Sequence, residues 1–187
     1  MKFLKLGLAS LVASSVLFAG NYNVDASHSN VGFSVKHMMI TNVTGKFNDV
    51  SGNFEYDEKT NTLKALSGDI IVASINTADE KRDTHLKAEE LFDAAKFPKI
   101  NFNATKIQEN AVYGDLTIKG ITKNIKLELE NGGTVTDPWG KQRAGFELVG
   151  KINRKDFGIT WNKVLETGGV AVSEEIKLQI AMEGILA

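Results

Sequence analysis

The sequence contains no cysteine and only two prolines among its 187 residues. Without cysteine the chain can form no disulfide bond, so the hydrophobic core alone must stabilise the folded state. A chain of this length can build such a core, because roughly 70% of its surface can be buried on folding. Pro98 and Pro138 lie far apart, and no proline- or serine-rich linker divides the chain. These absences favour a single domain.

An excess of positive charge is also absent. Lys and Arg together number 22 against 23 Asp and Glu, which leaves a formal net charge of −1. Proteins that bind nucleic acids need clustered Lys and Arg side chains for contacts to phosphates. The composition therefore predicts no nucleic-acid partner.

Motifs for metal binding or covalent chemistry are missing as well. The three histidines, His28, His37 and His85, lack the HxxxH spacing of a helical metal site, and the chain offers no thiolate ligand. Ser27 and His28 are neighbours, so in a strand their side chains would point to opposite faces and could not form a catalytic dyad. There is no GxSxG elbow and no phosphate loop, so the sequence predicts neither a metal site nor catalytic residues.

The N-terminal residues 1–20 have the pattern of a secretory signal peptide. Two lysines give a basic start, residues 6–18 are apolar or small, and Ala19-Gly20 offers small residues for cleavage. The apolar run is shorter than the about 20 residues that a membrane-spanning helix needs. We expect cleavage near Ala19-Gly20, a mature domain at residues 21–187 and a periplasmic location.

Alternation of apolar and polar residues with a period of two dominates the mature chain and is typical of antiparallel strands. Strand-rich chains of this kind form sandwiches or up-and-down barrels, and the regular hairpin spacing favours a barrel. The alternating segments are shorter than the 9–11 residues of a membrane-spanning strand, which favours a soluble barrel over a membrane one. They are Val31–His37, Val112–Ile118, Ile125–Leu129, Phe146–Ile152 and Ile176–Glu183.

Residues 77–95 break the alternation. They are rich in Ala, Glu, Lys and Leu and contain neither Gly nor Pro. Thr77 or Asp79 can cap the start of a helix, and the helix should end before Phe97-Pro98. The apolar residues of this segment fall on one side of a helical wheel. The sequence therefore predicts one amphipathic α-helix near residues 77–95.

Seven blocks spread over the mature chain carry a resemblance to a known family. They are Tyr22–Ser29, Val31–His37, Gly45–Phe47 with Gly52–Phe54, Lys81–Asp83, Phe97–Phe102, Gly114–Gly120 and Asn153–Trp161. In these blocks the chain resembles the YceI-like proteins, the lipocalin-like polyisoprenoid-binding proteins that bacteria export. The resemblance implies an all-β fold, a soluble eight-stranded antiparallel barrel with the inserted helix beside its mouth. It also implies a hydrophobic tunnel for a polyisoprenoid, such as a prenyl pyrophosphate or a quinone tail.

Apolar side chains at inward positions are expected to contact the tail of such a ligand. Eight strands leave room for one slender ligand only if the inward side chains do not fill the interior. Inward glycines such as Gly114 and Gly150 would help to leave that space open. The alternative is that each apolar side chain packs in a filled core. The expected tail contacts are Phe33, Val35, Phe54, Leu86, Phe102, Leu116, Ile118 and Trp161.

Three polar residues are candidates for contacts to the head group of the ligand. His37 shares the inward parity of its strand, so its imidazole could bind a head group, a buried water or a neighbouring side chain. Arg82 and Asp83 begin the predicted helix, where a guanidinium and exposed N–H groups suit an anionic oxygen. The alternative for Arg82 is a surface ion pair. Arg154, with Asp156 and Trp161, is expected to lock a hairpin corner.

The function expected from these features is that of a periplasmic carrier that holds one long isoprenoid lipid as cargo, with no cofactor, no metal and no catalysis. Two alternatives stay open: an interaction or stress protein with a filled core, and an enzyme that uses His37 and Asp83 on the head group. Transient contact with a membrane would suit a carrier. Exposed apolar residues near the helix, such as Phe92 and Phe97, could support a homodimer.

Overall fold

The structure is a computed structural model that describes residues 19–166 and 168–187. Residues 1–18, which make up most of the predicted signal peptide, lie outside the described residues. Within the described residues, no helix combines the length and the apolar character that a membrane crossing would require.

The described chain consists mainly of antiparallel strands, as the alternation predicts. One α-helix, α1, spans Glu80–Lys87, and two short 3-10 turns span Val72–Ser74 and Arg154–Phe157. The strands are β1 (Gly20–Val24), β2 (Asn30–His37), β3 (Thr41–Phe47), β4 (Val50–Asp57), β5 (Thr62–Ile71), β6 (Ile75–Asn76), β7 (Lys99–Gln108), β8 (Ala111–Ile118), β9 (Ile121–Thr136), β10 (Gln142–Asn153) and β11 (Val172–Leu186).

The strands close into a barrel with eight strand positions, which confirms the predicted fold class. Closure occurs at Tyr22 of β1, which pairs with Phe54 of β4 on one side and with Leu186 of β11 on the other. β2 shares a barrel position with β1, because both strands pair with β11 at different heights. β3 pairs with β2 and therefore shares a position with β4 in the same way. A closed barrel leaves no long unpaired edge.

The barrel has two ends that differ in what covers them. The upper end carries α1, the β2–β3 turn at residues 38–40, the β8–β9 turn at residues 119–120 and the connection at residues 154–171. The lower end carries the tight β4–β5, β7–β8 and β9–β10 turns and both ends of the described chain. Within the described part of the chain, longer segments are thus available to cover the interior only at the upper end.

The inserted helix is present but shorter than the predicted span of residues 77–95. The Asp79 carboxylate caps its start by accepting a hydrogen bond from the Arg82 amide at 2.9 Å. The helix ends at Lys87 because Ala88 adopts an extended conformation, and tight turns follow. These turns bury Leu91, which is 6% exposed, in the upper half of the barrel. Burial of apolar side chains therefore outweighs the helical propensity of this segment.

Phe92 and Phe97, the residues proposed for a dimer surface, are both half-buried. The Phe92 ring meets the Phe47 ring edge-on, with centroids 6.1 Å apart. The Phe97 ring packs so closely over Gly120 that a Cβ there would lie 2.8 Å from it. Both rings therefore have packing roles within the chain.

The lower half of the barrel is filled by aromatic rings. Phe54, which is 1% exposed, stacks on Tyr22 with centroids 5.3 Å apart and meets Phe146 edge-on at 5.0 Å. The Tyr22 hydroxyl donates to Glu58 at 3.0 Å, and burial with this contact raises the pKa of Tyr22 to about 12. Each pair of aromatic rings stabilises the fold by roughly 0.5–1.5 kcal/mol beyond the contribution of the apolar area that it buries.

An ion-pair network ties three segments together beside the lower half. The Arg143 guanidinium donates to Asp25 and Asp137 at 2.8 Å each and to Glu183 at 2.5 Å. His28 Nδ1 lies 2.8 Å from Asp25, which gives His28 a structural role in this turn. Ligand atoms of Asp25, His28 and Glu183 lie within 4.8 Å of one another, a spacing compatible with a metal ion. Arg143 already supplies the positive charge at these carboxylates, so the cluster is explained as an ion-pair network.

Candidate ligand-binding site

The upper half of the barrel encloses a cavity of about 340 Å³. Its walls come from the upper parts of the strands, from α1 and the turns after it, and from the connection at residues 154–171. Most of the lining side chains are aliphatic or aromatic. They are Phe33, Val35, His37, Val43, Phe47, Thr77, Arg82, His85, Leu86, Leu91, Phe92, Ile100, Ile118, Ile152, Arg154, Phe157, Ile159, Trp161, Ala171, Val172, Ile176 and Leu178.

A second cavity of about 110 Å³ follows in the direction of the lower end. It stops at side chains such as Leu127 and Leu148, which belong to the filled lower half. The two cavities share lining residues and are therefore neighbours along the barrel. The shared side chains are Phe33, Phe47, Ile100, Ile118, Ile152 and Leu178. We call the two cavities together the chamber.

Two inward glycines shape the chamber, although not by leaving empty space as the sequence analysis expected. A Cβ on Gly45 would lie 2.4 Å from the ring of Phe33, and a Cβ on Gly114 would lie 2.4 Å from the ring of Phe102. Each glycine thus gives a neighbouring ring room to lie against the barrel wall, as rings do over strand glycines. Gly150 accommodates Leu127 in the same way, at 2.5 Å.

Hydrogen bonds at the start of α1 hold the Arg82 side chain, which lines the upper cavity. Arg82 Nε donates to Thr77 Oγ1 at 2.7 Å, and its Nη2 donates to the Thr77 carbonyl at 2.7 Å. Asp83 holds Thr77 from the other side by accepting its amide at 2.9 Å and its hydroxyl at 2.6 Å. Asp83 itself does not line the cavity. It positions Thr77, which in turn orients the Arg82 guanidinium.

A second arginine, Arg154, also belongs to the lining of the upper cavity. Arg154 is only 5% exposed, and it donates to three carbonyls: Ser173 at 3.0 Å, Ile159 at 2.7 Å and Trp161 at 2.8 Å. These bonds lock the corner between β10 and β11, as the sequence analysis expected. Its Nη2 atom is buried and has no hydrogen-bond acceptor among residues 19–166 and 168–187. Burial lowers the pKa of Arg154.

Two histidines complete the polar part of the upper cavity. His85, on α1, meets the indole of Trp161 edge-on with ring centroids 4.9 Å apart and hydrogen-bonds to the exposed Glu90. His37 lies at the end of β2, opposite Val172 of β11, and is half-buried. The polar groups therefore gather in the upper cavity, whereas the lower one is almost entirely apolar.

Comparison with known proteins identifies the family. The sequence profile of the YceI-like domain matches residues 22–184. The chain belongs to the YceI-like family. A UPF0312 protein of Staphylococcus aureus strain N315 is 41% identical over 165 residues, which cover 87% of this chain and 96% of that protein. The resemblance inferred from the sequence blocks is thus confirmed.

Several solved structures share the architecture. The YCEI protein of Campylobacter jejuni is 36% identical, with a TM-score of 0.70, over 87% of this chain and 96% of that one. BcnA of Burkholderia cenocepacia is 22% identical, with a TM-score of 0.71, over 86% and 98% of the two chains. A polyisoprenoid binding domain from Saccharophagus degradans is 15% identical, with a TM-score of 0.67, over 91% and 99%. The last two similarities concern the fold alone.

Most residues predicted to bind a ligand in this YceI-like chain line the chamber. Phe54 does not, because it lies in the filled lower half. Among the predicted head-group residues, His37 and Arg82 line the upper cavity, and Asp83 acts behind Thr77. The predicted tail residues that line the chamber are Phe33, Val35, Leu86, Phe102, Leu116, Ile118 and Trp161.

Several lining residues were not predicted from the sequence. Ile152 and Leu178 have the inward parity of their strands and could have been found by the alternation alone. Arg154 was assigned only to the hairpin corner, since nothing in its local sequence shows that the corner faces a cavity. His85 was considered only as a metal ligand, because its position beside Trp161 depends on a contact far along the chain.

Proposed function

We propose that this YceI-like protein binds one long apolar chain of the isoprenoid type inside its barrel and carries it without chemical change. The observation that supports this function best is the chamber, because its two neighbouring cavities share lining residues and are lined mostly by apolar side chains. The name of the Saccharophagus degradans domain, a polyisoprenoid binding domain with the same fold, agrees with this ligand class.

The apolar lining is sufficient to explain useful affinity. A tail that buries ~400 Å² of apolar surface would gain about 10 kcal/mol at ~25 cal/mol/Å². Loss of translational freedom and ordering of the flexible tail would offset several kcal/mol of this gain. Micromolar or tighter binding is the expected result.

The polar groups of the chamber support binding rather than catalysis. An enzyme that used His37 and Asp83 as general acid and base would need both side chains at the ligand. Asp83 does not line the cavity, and its Oδ1 is engaged by the amide and hydroxyl of Thr77. The chamber also argues against a protein with a filled core. A periplasmic location, cleavage near Ala19-Gly20 and a homodimer belong to this proposal as predictions from the sequence.

Native mass spectrometry of the mature protein, purified from cells without added lipid, is the direct test. The expected spectrum contains a discrete adduct, and organic extraction of the sample should release a compound with an isoprenoid mass. The mass of the protein itself reports whether the chain starts after Gly20. A ligand-free protein that also ignores added prenyl compounds would contradict the proposal.

The Leu178→Trp variant provides a matched control for this experiment. Leu178 lines both cavities, so an indole at this position would occupy their junction. The variant should fold but carry clearly less adduct than the wild-type protein. An unchanged amount of adduct would mean that the compound is bound outside the chamber.

A further inference from the structure

The β2–β3 turn at the upper end of the barrel places large apolar side chains in solvent. Met38, Met39 and Ile40 follow one another in this turn, and they are 43%, 53% and 81% exposed. Turns that face water usually consist of small or polar residues. A run of three exposed apolar residues is unfavourable for a soluble protein unless the run has a function.

The backbone of this turn makes its methionines more unusual. The φ angles of Met38 and Met39 are +47° and +63°, and the Ile40 N–H donates to the His37 carbonyl at 3.1 Å. Two successive positive φ angles are typical of a type I′ turn, for which Asn-Gly is the favoured pair. A methionine is strained at such φ angles, and an exposed side chain buries little apolar surface in return. The requirements of the turn therefore do not explain Met38 and Met39.

A second apolar tip lies beside the turn. The Met38 N–H donates to the Ala171 carbonyl at 2.8 Å, and the Ala171 N–H donates to the Lys163 carbonyl at 2.8 Å. These two bonds place the chain segment that begins at Lys163 next to the β2–β3 turn. Val164 follows in this segment and is 83% exposed. We call the exposed apolar side chains of the two tips the apolar rim, which consists of Met38, Met39, Ile40 and Val164.

Two lysines without a carboxylate partner flank the apolar rim. Lys36 precedes the turn, Lys163 precedes Val164, and both are exposed. In residues 19–166 and 168–187, no carboxylate oxygen lies within 4.0 Å of either ammonium group. Glu174 and Glu175, which follow in β11, pair with other lysines. Glu166 is exposed in the same segment as Val164, so the excess of positive charge beside the rim is small.

The apolar rim is also continuous with the wall of the upper cavity. His37, which comes directly before Met38, lines this cavity. Ala171, which accepts the hydrogen bond from Met38, lines it as well. A surface that contacts the rim would therefore lie next to the upper cavity.

We infer that the apolar rim inserts into the surface of a lipid bilayer and holds the upper end of the barrel against it. A stable interface between two proteins buries about 1,200–2,000 Å², which four side chains on two narrow tips do not offer. Insertion among lipid head groups needs only a few apolar side chains, and lysines beside them attract anionic lipids. Such a contact goes beyond the proposed function and does not depend on it, because it needs no cargo.

Sedimentation of the mature protein with lipid vesicles tests this contact. One set of vesicles consists of phosphatidylcholine, and the other is an equimolar mixture of phosphatidylcholine and phosphatidylglycerol. The wild-type protein should bind both, and it should bind the anionic mixture roughly three- to tenfold more tightly because of the two lysines. Absence of binding to both kinds of vesicle would overturn the inference.

Replacement of both methionines by the favoured turn residues separates membrane contact from folding. The double variant Met38→Asn, Met39→Gly should melt at the same temperature as the wild-type protein or higher, because Asn-Gly suits the positive φ angles. Its affinity for both kinds of vesicle should fall roughly tenfold, because two apolar side chains are lost. Unchanged affinity for vesicles would overturn the inference.

Trp139→Ser is the matched control. It removes an apolar side chain that is 81% exposed in the β9–β10 turn at the lower end of the barrel. This variant should bind vesicles as tightly as the wild-type protein does. Loss of binding in this variant, with binding retained in the methionine variant, would move the contact to the lower end and overturn the inference.

The lysines and the state of association complete the test. The double variant Lys36→Gln, Lys163→Gln should lose the preference for anionic vesicles and keep its binding to phosphatidylcholine, and a preference that persists would overturn the role of the lysines. Analytical ultracentrifugation identifies the competing occupant. A wild-type dimer that ignores vesicles and that the methionine variant converts into monomers would assign the rim to a second copy of the chain. Binding to vesicles by a protein that carries no isoprenoid adduct would overturn the proposed function alone.

Discussion

The two halves of the barrel are built from the same long strands, yet one is filled and the other is hollow. β10 passes through both: its Phe146 packs against Phe54 in the lower half, and its Ile152 lines the chamber in the upper half. In the lower half, aromatic rings contact one another inside the barrel and fill its interior. In the upper half, Phe33 lies against a wall glycine, and inserted segments form the cover. Strand alternation is the same in both halves, so alternation alone does not distinguish a core from a binding site.

The largest expected effect is on stability in the filled half. Phe54→Ala should lower the free energy of unfolding by about 3–5 kcal/mol, because it leaves a hole among rings that cannot collapse. Phe33→Ala should cost less than half as much, since one side of that ring already faces a cavity. Urea unfolding of ligand-free protein measures both. Equal losses would show that the upper half is as tightly packed as the lower.

Adding volume should have opposite consequences in the two halves. Ile118→Phe places a larger side chain at the junction of the cavities, so ligand affinity should fall about tenfold while stability changes by less than about 1.5 kcal/mol. Leu129→Phe in the filled half should lower stability by about 1–3 kcal/mol through overpacking and leave affinity unchanged. Calorimetry and urea unfolding of both variants test the contrast. A stability loss in both variants would argue that no usable space exists in the chamber.

A smaller effect is expected when a wall glycine is replaced. A Cβ on Gly45 would meet the Phe33 ring at 2.4 Å and the Thr77 methyl group at 2.7 Å, so Gly45→Ala should push the ring into the chamber. We expect affinity to fall a few-fold, with the largest change for the longest tails. Gly145→Ala is the control, because its nearest neighbour would be the Met182 carbonyl at 3.3 Å. If the two variants bind equally well, the position of the Phe33 ring does not limit the chamber.

The smallest effect concerns the ion pairs outside the chamber. Hydrogen bonds from Ser27, His28 and Arg143 lower the pKa of Asp25, and those from Arg143 and backbone amides lower the pKa of Asp137. A lowered folded-state pKa stabilises the protein above the ordinary carboxyl value of 3.8, and this contribution is lost as the pH falls further.

Arg143→Met should therefore lower the melting temperature more at pH 7 than at pH 3. Thermal unfolding at the two pH values measures the difference. The affinity of the chamber for its ligand at pH 7 should stay the same, because Arg143 lies outside it. A melting temperature lowered equally at both pH values would show that Arg143 acts through packing rather than through its charge.

More of the fold than of the binding site could be predicted from the sequence. The alternation in segments such as Val112–Ile118 identified strands correctly, because side-chain parity is a local property. The helix near residues 77–95 was predicted too long, since burial of Leu91 depends on a cavity that other segments build. The alternation predicted that both Phe33 and Phe54 point inward. Their position along the barrel axis, however, depends on how the strands close into the barrel. The burial of Arg154 likewise depends on contacts to Ser173 and Trp161, which only the folded chain brings together.

Closure of the barrel by its last strand determines when the chain can fold. β11 pairs with β10, its neighbour in sequence, but also with β2 and β1, which lie at the start of the domain. Contacts between residues as distant as Asn23 and Ile185 carry a large loop-closure entropy and slow the folding of such barrels. Until β11 is available for pairing, β2 and β10 present free edges that can pair with other chains. Formation of the closed barrel therefore has to wait for β11, and truncation within β11 should favour aggregation over folding.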